Sequence, residues 1–327
     1  MDNQPIMDTI DPELIERLAV RKAEIDRGSW ASPGIIAALA IGSVPIALGA
    51  LSKDLYAQGL PTQIKGVLDF ALALEIFEDE FYKAVLGTSS NSGANTAFAS
   101  VRTQAAAVPG AVATLQQIEK HEAAHRATLL ATGATNVFNL DHTSFDFTGN
   151  RSATGGGPFA KATTDLAFLL EVAEGAEDTG VRAYKGQAAN LMVTGYSAVL
   201  EAALRIHSVE ARHASRIRRM RRAAAGATAQ VRYSGTVRGG ERTAAGATDL
   251  GTNPTAVGAA FDKIYGAGAN PATAPSEANT THAGINVATA LSAANFGVDA
   301  ATEAFDEPLD RADVVAIVQG FFIPTIS

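Results

Sequence analysis

Not one of the 327 residues is cysteine, which excludes disulfide scaffolds, cysteine-ligated zinc, iron–sulfur clusters and thiol catalysis. Charge is scarce: Asp, Glu, Lys and Arg make up 18% of the chain, against 47% apolar residues. What charge there is leans acidic, with 34 Asp and Glu against 26 Lys and Arg, a net −8. Nucleic-acid binding needs a dominant basic surface and is not expected. Aromatic residues are only 6%, so the core should be mainly aliphatic. The low hydrophobicity and high net charge of a disordered chain are missing too. No Gly-rich phosphate loop occurs, and no Ser/His/Asp arrangement stands out from chance. The length suits one large or two modest domains.

One absence is local. From Gly28 to Ser52 there is no charged residue, long enough to cross a bilayer, although Pro33 and Pro45 interrupt it. Three readings stay open: a buried or subunit-packing helix, a membrane anchor, and a cleaved export signal. The charged leader is long for a signal peptide and lacks a twin-Arg pair. As an anchor, the segment follows Arg17, Arg21, Lys22 and Arg27, which would leave the rest of the chain extracytoplasmic, in the cell envelope. The packing-helix reading allows a cytoplasmic location instead.

From Thr62 to Met220 the pattern is helical. It predicts helices over 63–87, 109–132, 163–189 and 196–222, with Thr62 and Thr163 as N-caps and Pro109 in a first turn. Polar, turn-rich Asn136–Gly157 separates the second helix from the third, so two helix pairs are joined by one long crossover. Three regions follow: an extension (1–60), an all-α bundle (61–225) and a Gly/Ala/Thr-rich segment (226–327). The last should pack on the bundle and hold two short helices near 255–265 and 309–320.

The second helix places Leu115, Ile118, Glu122, His125 and Leu129 on one inward face. The fourth does the same with Val199, Ala203, Ile206, Glu210, His213, Ile217 and Met220. Each stripe carries Glu and His three apart where an aliphatic side chain belongs. Three residues turn a helix by about 300° and advance it about 4.5 Å, so the two side chains converge. The first helix has Glu75 and, two turns on, Tyr82; the third has Glu177 and Tyr184. The order Glu…Tyr, Glu-x-x-His therefore occurs twice, once on each side of the crossover. A single Glu-x-x-His is common on solvated faces, and Glu78, Glu80, Glu171 and Glu174 rival Glu75 and Glu177; the two-fold repetition is what singles out the set. Four buried carboxylates with two neutral imidazoles leave −4 in an apolar core, at several kcal/mol per unpaired ion. Two divalent cations cancel that charge. Oxygen-rich ligands with one His per ion suit Fe or Mn.

The chain here resembles the ferritin-like superfamily, and more closely the desiccation-related ferritin-like family of plants and bacteria. The likeness rests on Leu68-Asp69-Phe70-Ala71-Leu72-Ala73-Leu74-Glu75 with Glu80-Phe81-Tyr82, on Glu177-Asp178 leading to Ala183-Tyr184-Lys185-Gly186, and on Glu303-Ala304-Phe305-Asp306-Glu307-Pro308-Leu309. It covers about residues 60–325, so it implies a ferritin-like four-helix bundle whose C-terminal segment belongs with it. It also implies a dinuclear site of Glu75, Glu122, His125, Glu177, Glu210 and His213. Many relatives carry Asp before the second-helix Glu, to orient a ligand His; this chain has His121 there. His121 and His207 lie off the inward stripe and read as surface residues or as neighbours of the ligands. The Arg212–Arg222 run reads as a helix-terminal cluster paired with acids. The resemblance implies two Fe or Mn ions reacting with oxygen or hydrogen peroxide, in ferroxidase-like or catalase/peroxidase-like chemistry under oxidative or drying stress. In that mechanism Tyr82 and Tyr184 hydrogen-bond across the bundle to ligand carboxylates. A homo-oligomer is expected in either case; the alternative function is that of a structural or assembly-forming protein whose metals only stabilise the fold.

Overall fold

The computed structural model describes residues 59–224, 254–290, 302 and 304–326. The uncharged Gly28–Ser52 stretch lies outside them. No described helix is long and apolar enough to cross a membrane.

Four long helices form the bundle: α1 (Thr62–Leu86), α4 (Ala111–Thr132), α5 (Leu166–Gln187) and α6 (Ser197–Ala224). Their ends differ in detail from the sequence reading. Thr62 is the first helical residue, not the cap; Pro61 precedes it with φ −51°, and no side chain caps the turn. Pro109 lies outside α4, which starts after Gly110. Thr163 ends a 3₁₀ turn, and Asp165 caps α5 by accepting from the Phe168 N–H at 2.9 Å. A carboxylate caps better than a Thr hydroxyl and also answers the positive end of the helix dipole. Gly87 and Gly133 end α1 and α4 with φ of 81° and 107°, a left-handed turn that L side chains resist. Between α1 and α4 the chain forms two short helices that the sequence reading missed, α2 (Ser92–Ala97) and α3 (Ala99–Ala106).

Cross-links set the directions. Asp69 near the start of α1 accepts from the Thr135 N–H just past the end of α4, and Asp79 pairs with Arg126, so α1 and α4 run antiparallel. Glu174 and Asp178 of α5 meet Arg218 of α6, and Glu174 also meets Arg221. Of the basic run, Arg218 and Arg221 thus pair with acids, while Arg216 donates to the Thr114 hydroxyl.

The crossover carries Phe145 and Phe147 back over α1. They join Phe77, Phe81, Phe98, Phe159, Phe321 and Phe322 in one cluster, with centroids 5.0–6.2 Å apart. Other buried aromatics, among them Phe70, Phe168, Phe261 and Tyr265, are spread through an otherwise aliphatic core. Phe145 also forms an isolated antiparallel bridge with Phe322.

The C-terminal segment contributes α7 (Pro254–Tyr265), the two-residue strands β1 (Thr281–His282) and β2 (Ile285–Asn286), α8 (Val287–Ala290) and α9 (Arg311–Val318). Arg182 of α5, 1% exposed, anchors it. Its guanidinium donates to the carbonyls of Ile264, Gly266, Pro275, Glu307 and Pro308 and pairs with Glu277 at 3.0 Å. With crossover and C-terminal segment laid over them, α1 is buried on all sides from Leu68 to Tyr82, and α5 nearly so from Phe168 to Tyr184. Both α4 and α6 keep an exposed outer face.

Candidate metal centre

Each bundle helix sends acidic or imidazole side chains into the middle of the core. Glu75, Glu122, Glu177 and Glu210 are all 0% exposed, and His125 and His213 are 2% and 3% exposed. They fall into two groups: Glu75, Glu122, His125 and Glu210, and Glu122, Glu177, Glu210 and His213. Within each, one ligand atom per residue lies within 4.8 Å of the others. Glu122 and Glu210 belong to both. The structure therefore brings together all six residues that the sequence singled out.

The imidazoles point at the space between the carboxylates. His125 Nδ1 stands 2.8 Å from Glu210 Oε1, 3.1 Å from Glu122 Oε2 and 3.3 Å from Glu75 Oε2. His213 Nδ1 stands 2.7 Å from Glu122 Oε1, 3.2 Å from Glu177 Oε2 and 3.7 Å from Glu210 Oε2. Proximity is not alignment here: Glu75 Oε2, Glu122 Oε1 and both oxygens of Glu210 lack any well-oriented hydrogen bond. Four buried carboxylate oxygens without partners are costly, and a shared cation answers them all. Hard oxygen donors with one imidazole per group suit a hard or borderline cation better than a soft one.

Tyrosines hold the outer carboxylates. Tyr184 donates to Glu75 Oε1 at 2.5 Å, and Tyr82 donates to Glu177 Oε1. Each bond crosses between α1 and α5. Burial, with the carboxylate beside it, pushes both phenols well above their ordinary range, so they stay protonated donors.

His121 lies off the inward stripe of α4 and touches the site all the same. Its Nδ1 is 2.9 Å from His213 Nε2, and its own Nε2 is 2.7 Å from Gln117 Nε2. His121 thus holds the His213 ring by its far nitrogen. His207 is half-buried, with burial lowering its pKa, and no bond links it to the six.

The main omission of the sequence reading is Glu78. It is 4% exposed and feels the negative charge of Glu210, Glu122, Glu177 and Glu75. The site therefore has five nearby carboxyls, not four. Glu75 and Tyr82 recur 102 residues later as Glu177 and Tyr184, and at that spacing Glu78 corresponds to Gly180. A Cβ at Gly180 would lie 3.5 Å from both Glu78 Oε1 and Glu210 Oε2. The repeat breaks where one half supplies a carboxyl and the other leaves room for it. That spacing was in the sequence and could have found Glu78. The other rivals are accounted for elsewhere: Glu80 accepts from Ser89, and Glu171 and Glu174 pair with Arg221.

Protons balance the charge of the cluster. Burial, against the pull of the imidazoles, pushes Glu75 and Glu177 up to about 8. Burial and the neighbouring carboxylates hold Glu78 well above the ordinary range. Burial opposes charge on Glu122 and Glu210 too, but the two imidazoles outweigh it and hold both below the ordinary range. His125 and His213 are desolvated as well, yet the surrounding carboxylates hold them well above the usual range. At neutral pH two imidazolium rings face two carboxylates, and three neutral carboxyls complete the set.

Residues 64–223 match the family model of the ferritin-like domain. No curated protein and no solved structure matches the chain. With its four long helices, long crossover and buried Glu/His cluster, the fold is an all-α ferritin-like bundle with a cluster compatible with metal binding.

Proposed function

We propose that Glu75, Glu122, His125, Glu177, Glu210 and His213 hold two Fe or Mn ions and that the centre reacts with oxygen or hydrogen peroxide, protecting cells under oxidative or drying stress. The carrying observation is the pair of Glu₃His groups that share Glu122 and Glu210, three of whose four oxygens lack a well-oriented partner deep in the core. When bound, the ions supply electron exchange with the oxidant. Glu122 and Glu210 span both groups, and neither is held by a Tyr hydroxyl as Glu75 and Glu177 are. Tyr184 and Tyr82 fix Glu75 and Glu177, and His121 sets the plane of His213. The apolar core excludes bulk water from the cluster. Membership of the desiccation-related family, self-assembly, and a cell-envelope location with membrane association through residues 28–52 belong to the same proposal. Fractionation of the full chain and its mass in solution test the last three.

The decisive test is the double substitution Glu122→Gln and Glu210→Gln, with metal content and turnover both measured. It keeps side-chain size while removing two of the charges that two divalent ions need. We expect wild type to bind two ions per chain and to consume oxygen or peroxide with added Fe(II) or Mn(II), and the variant to lose both properties while staying helical. Wild type that binds two ions without turnover would make the centre a fold-stabilising one. Turnover retained in the variant would place the chemistry elsewhere.

A further inference from the structure

A cavity of about 40 Å³ lies between α1, α5, α7 and α9, against the phenylalanine cluster. A single water needs roughly 10–15 Å³ on the same measure, so the space holds more than one small molecule. Its wall includes Phe77, Phe81, Val172, Phe261, Ile264 and Phe321. Thr179 also lines it, but its hydroxyl donates to the Gly175 carbonyl at 2.7 Å. Glu78 is the one ionisable residue on the wall, and it sits beside Gly180. Beyond Gly180 is Glu210, which belongs to both Glu/His groups. The cavity thus abuts the cluster at the point where the internal repeat replaces a carboxyl with glycine.

We propose that this cavity is the chamber through which dioxygen, an apolar diatomic, reaches the metal centre. The proposal rests on the metal-centre reading and names its oxidant. A cavity walled almost wholly by apolar side chains, with the Glu78 carboxyl at one edge, favours apolar gases over water. Hydrogen peroxide would give up hydrogen bonds to water at both of its ends and regain them only at Glu78. Dioxygen has none to give up. Gly180 is the doorway: a methyl group there meets Glu78 and Glu210 at ordinary contact distance, so it fits yet narrows the passage. Gly175 has a different task, since a Cβ there would lie 2.9 Å from Phe261 Cε1; it lets α7 close over the cavity.

The test uses the full chain and xenon as an apolar probe, with oxygen and peroxide kinetics on the Fe(II)-loaded protein. Xenon should occupy this cavity in the metal-free wild type and should be excluded when Ala176→Leu fills it. Gly180→Ala should fold at least as well as wild type, because Ala favours helix over Gly. Its metal content should be unchanged and its oxygen rate at low oxygen should fall about tenfold, while the peroxide rate holds. Absence of xenon from the cavity, with wild-type oxygen consumption intact, overturns the chamber and leaves the metal centre standing. Bound xenon with no oxygen consumption by the fully loaded wild type overturns the metal-centre reading, and this one with it. Equal oxygen rates for Ala176→Leu, Gly180→Ala and wild type also overturn it.

Discussion

Loading the site with metal should expel protons, and the structure gives their number. In the metal-free protein at pH 7, Glu75 and Glu177 carry protons because burial lifts them to about 8. His125 and His213 carry one extra proton each, held by the carboxylates around them. Ligands must present carboxylates and neutral imidazoles. Two divalent ions therefore replace about four protons, and the net charge of the buried cluster stays at zero. Two protons per ion make each affinity rise on the order of a hundredfold per pH unit from about 6.5 to 8, flattening above that range as Glu75 and Glu177 lose their protons unaided. Without metal the same groups work against stability as the pH rises. Glu75 and Glu177 titrate near 4.5 when unfolded and near 8 when folded, and the two histidines are also raised. The folded chain thus binds more protons throughout pH 6.5–8, and its melting temperature should fall across that interval. The assay is calorimetric titration with Mn(II) in buffers of different ionisation enthalpy, with metal stoichiometry measured in parallel. Two ions bound with fewer than about two protons released would mean that the metals sit elsewhere.

Three further outcomes follow from single contacts. His121→Ala removes the group holding His213 Nε2 and should weaken metal binding about 10- to 100-fold in chelator competition, with little change in the melting of the metal-free protein. Tyr184→Phe leaves Glu75 Oε1 buried without its donor and should lower stability by about 1–3 kcal/mol in urea melts, as should Tyr82→Phe for Glu177. Arg182→Met strands Glu277 and five carbonyls that it bonds, so residues 254–290 should become open to limited proteolysis, at a cost of about 3–5 kcal/mol.

Legibility of the bundle followed exposure. Helices α4 and α6 are solvated on one side, so Leu115, Ile118 and Leu129, or Val199, Ile206 and Ile217, write the inward face as a period, and Glu122, His125, Glu210 and His213 stand out against it. Helices α1 and α5 are covered on both sides. Phe70, Phe77 and Phe81 pack outward as well as inward, the period disappears, and Glu75 and Glu177 were found only through their two-fold repetition with Tyr82 and Tyr184. Short α2 and α3 bury little beyond Val101 and Ala105, too little to leave a pattern.

The helix count of the bundle, the crossover and the six Glu and His residues were all legible from the chain, because each is written in local spacing along one helix or in its repetition. The sequence could not say that His121 reaches His213 from another helix, or that Glu78 is a fifth carboxyl beside them. Nor could it say that α7 and α9 close a cavity against Gly180. Those facts depend on how helices lie across one another, and contacts between residues many turns apart in the chain leave no period in it.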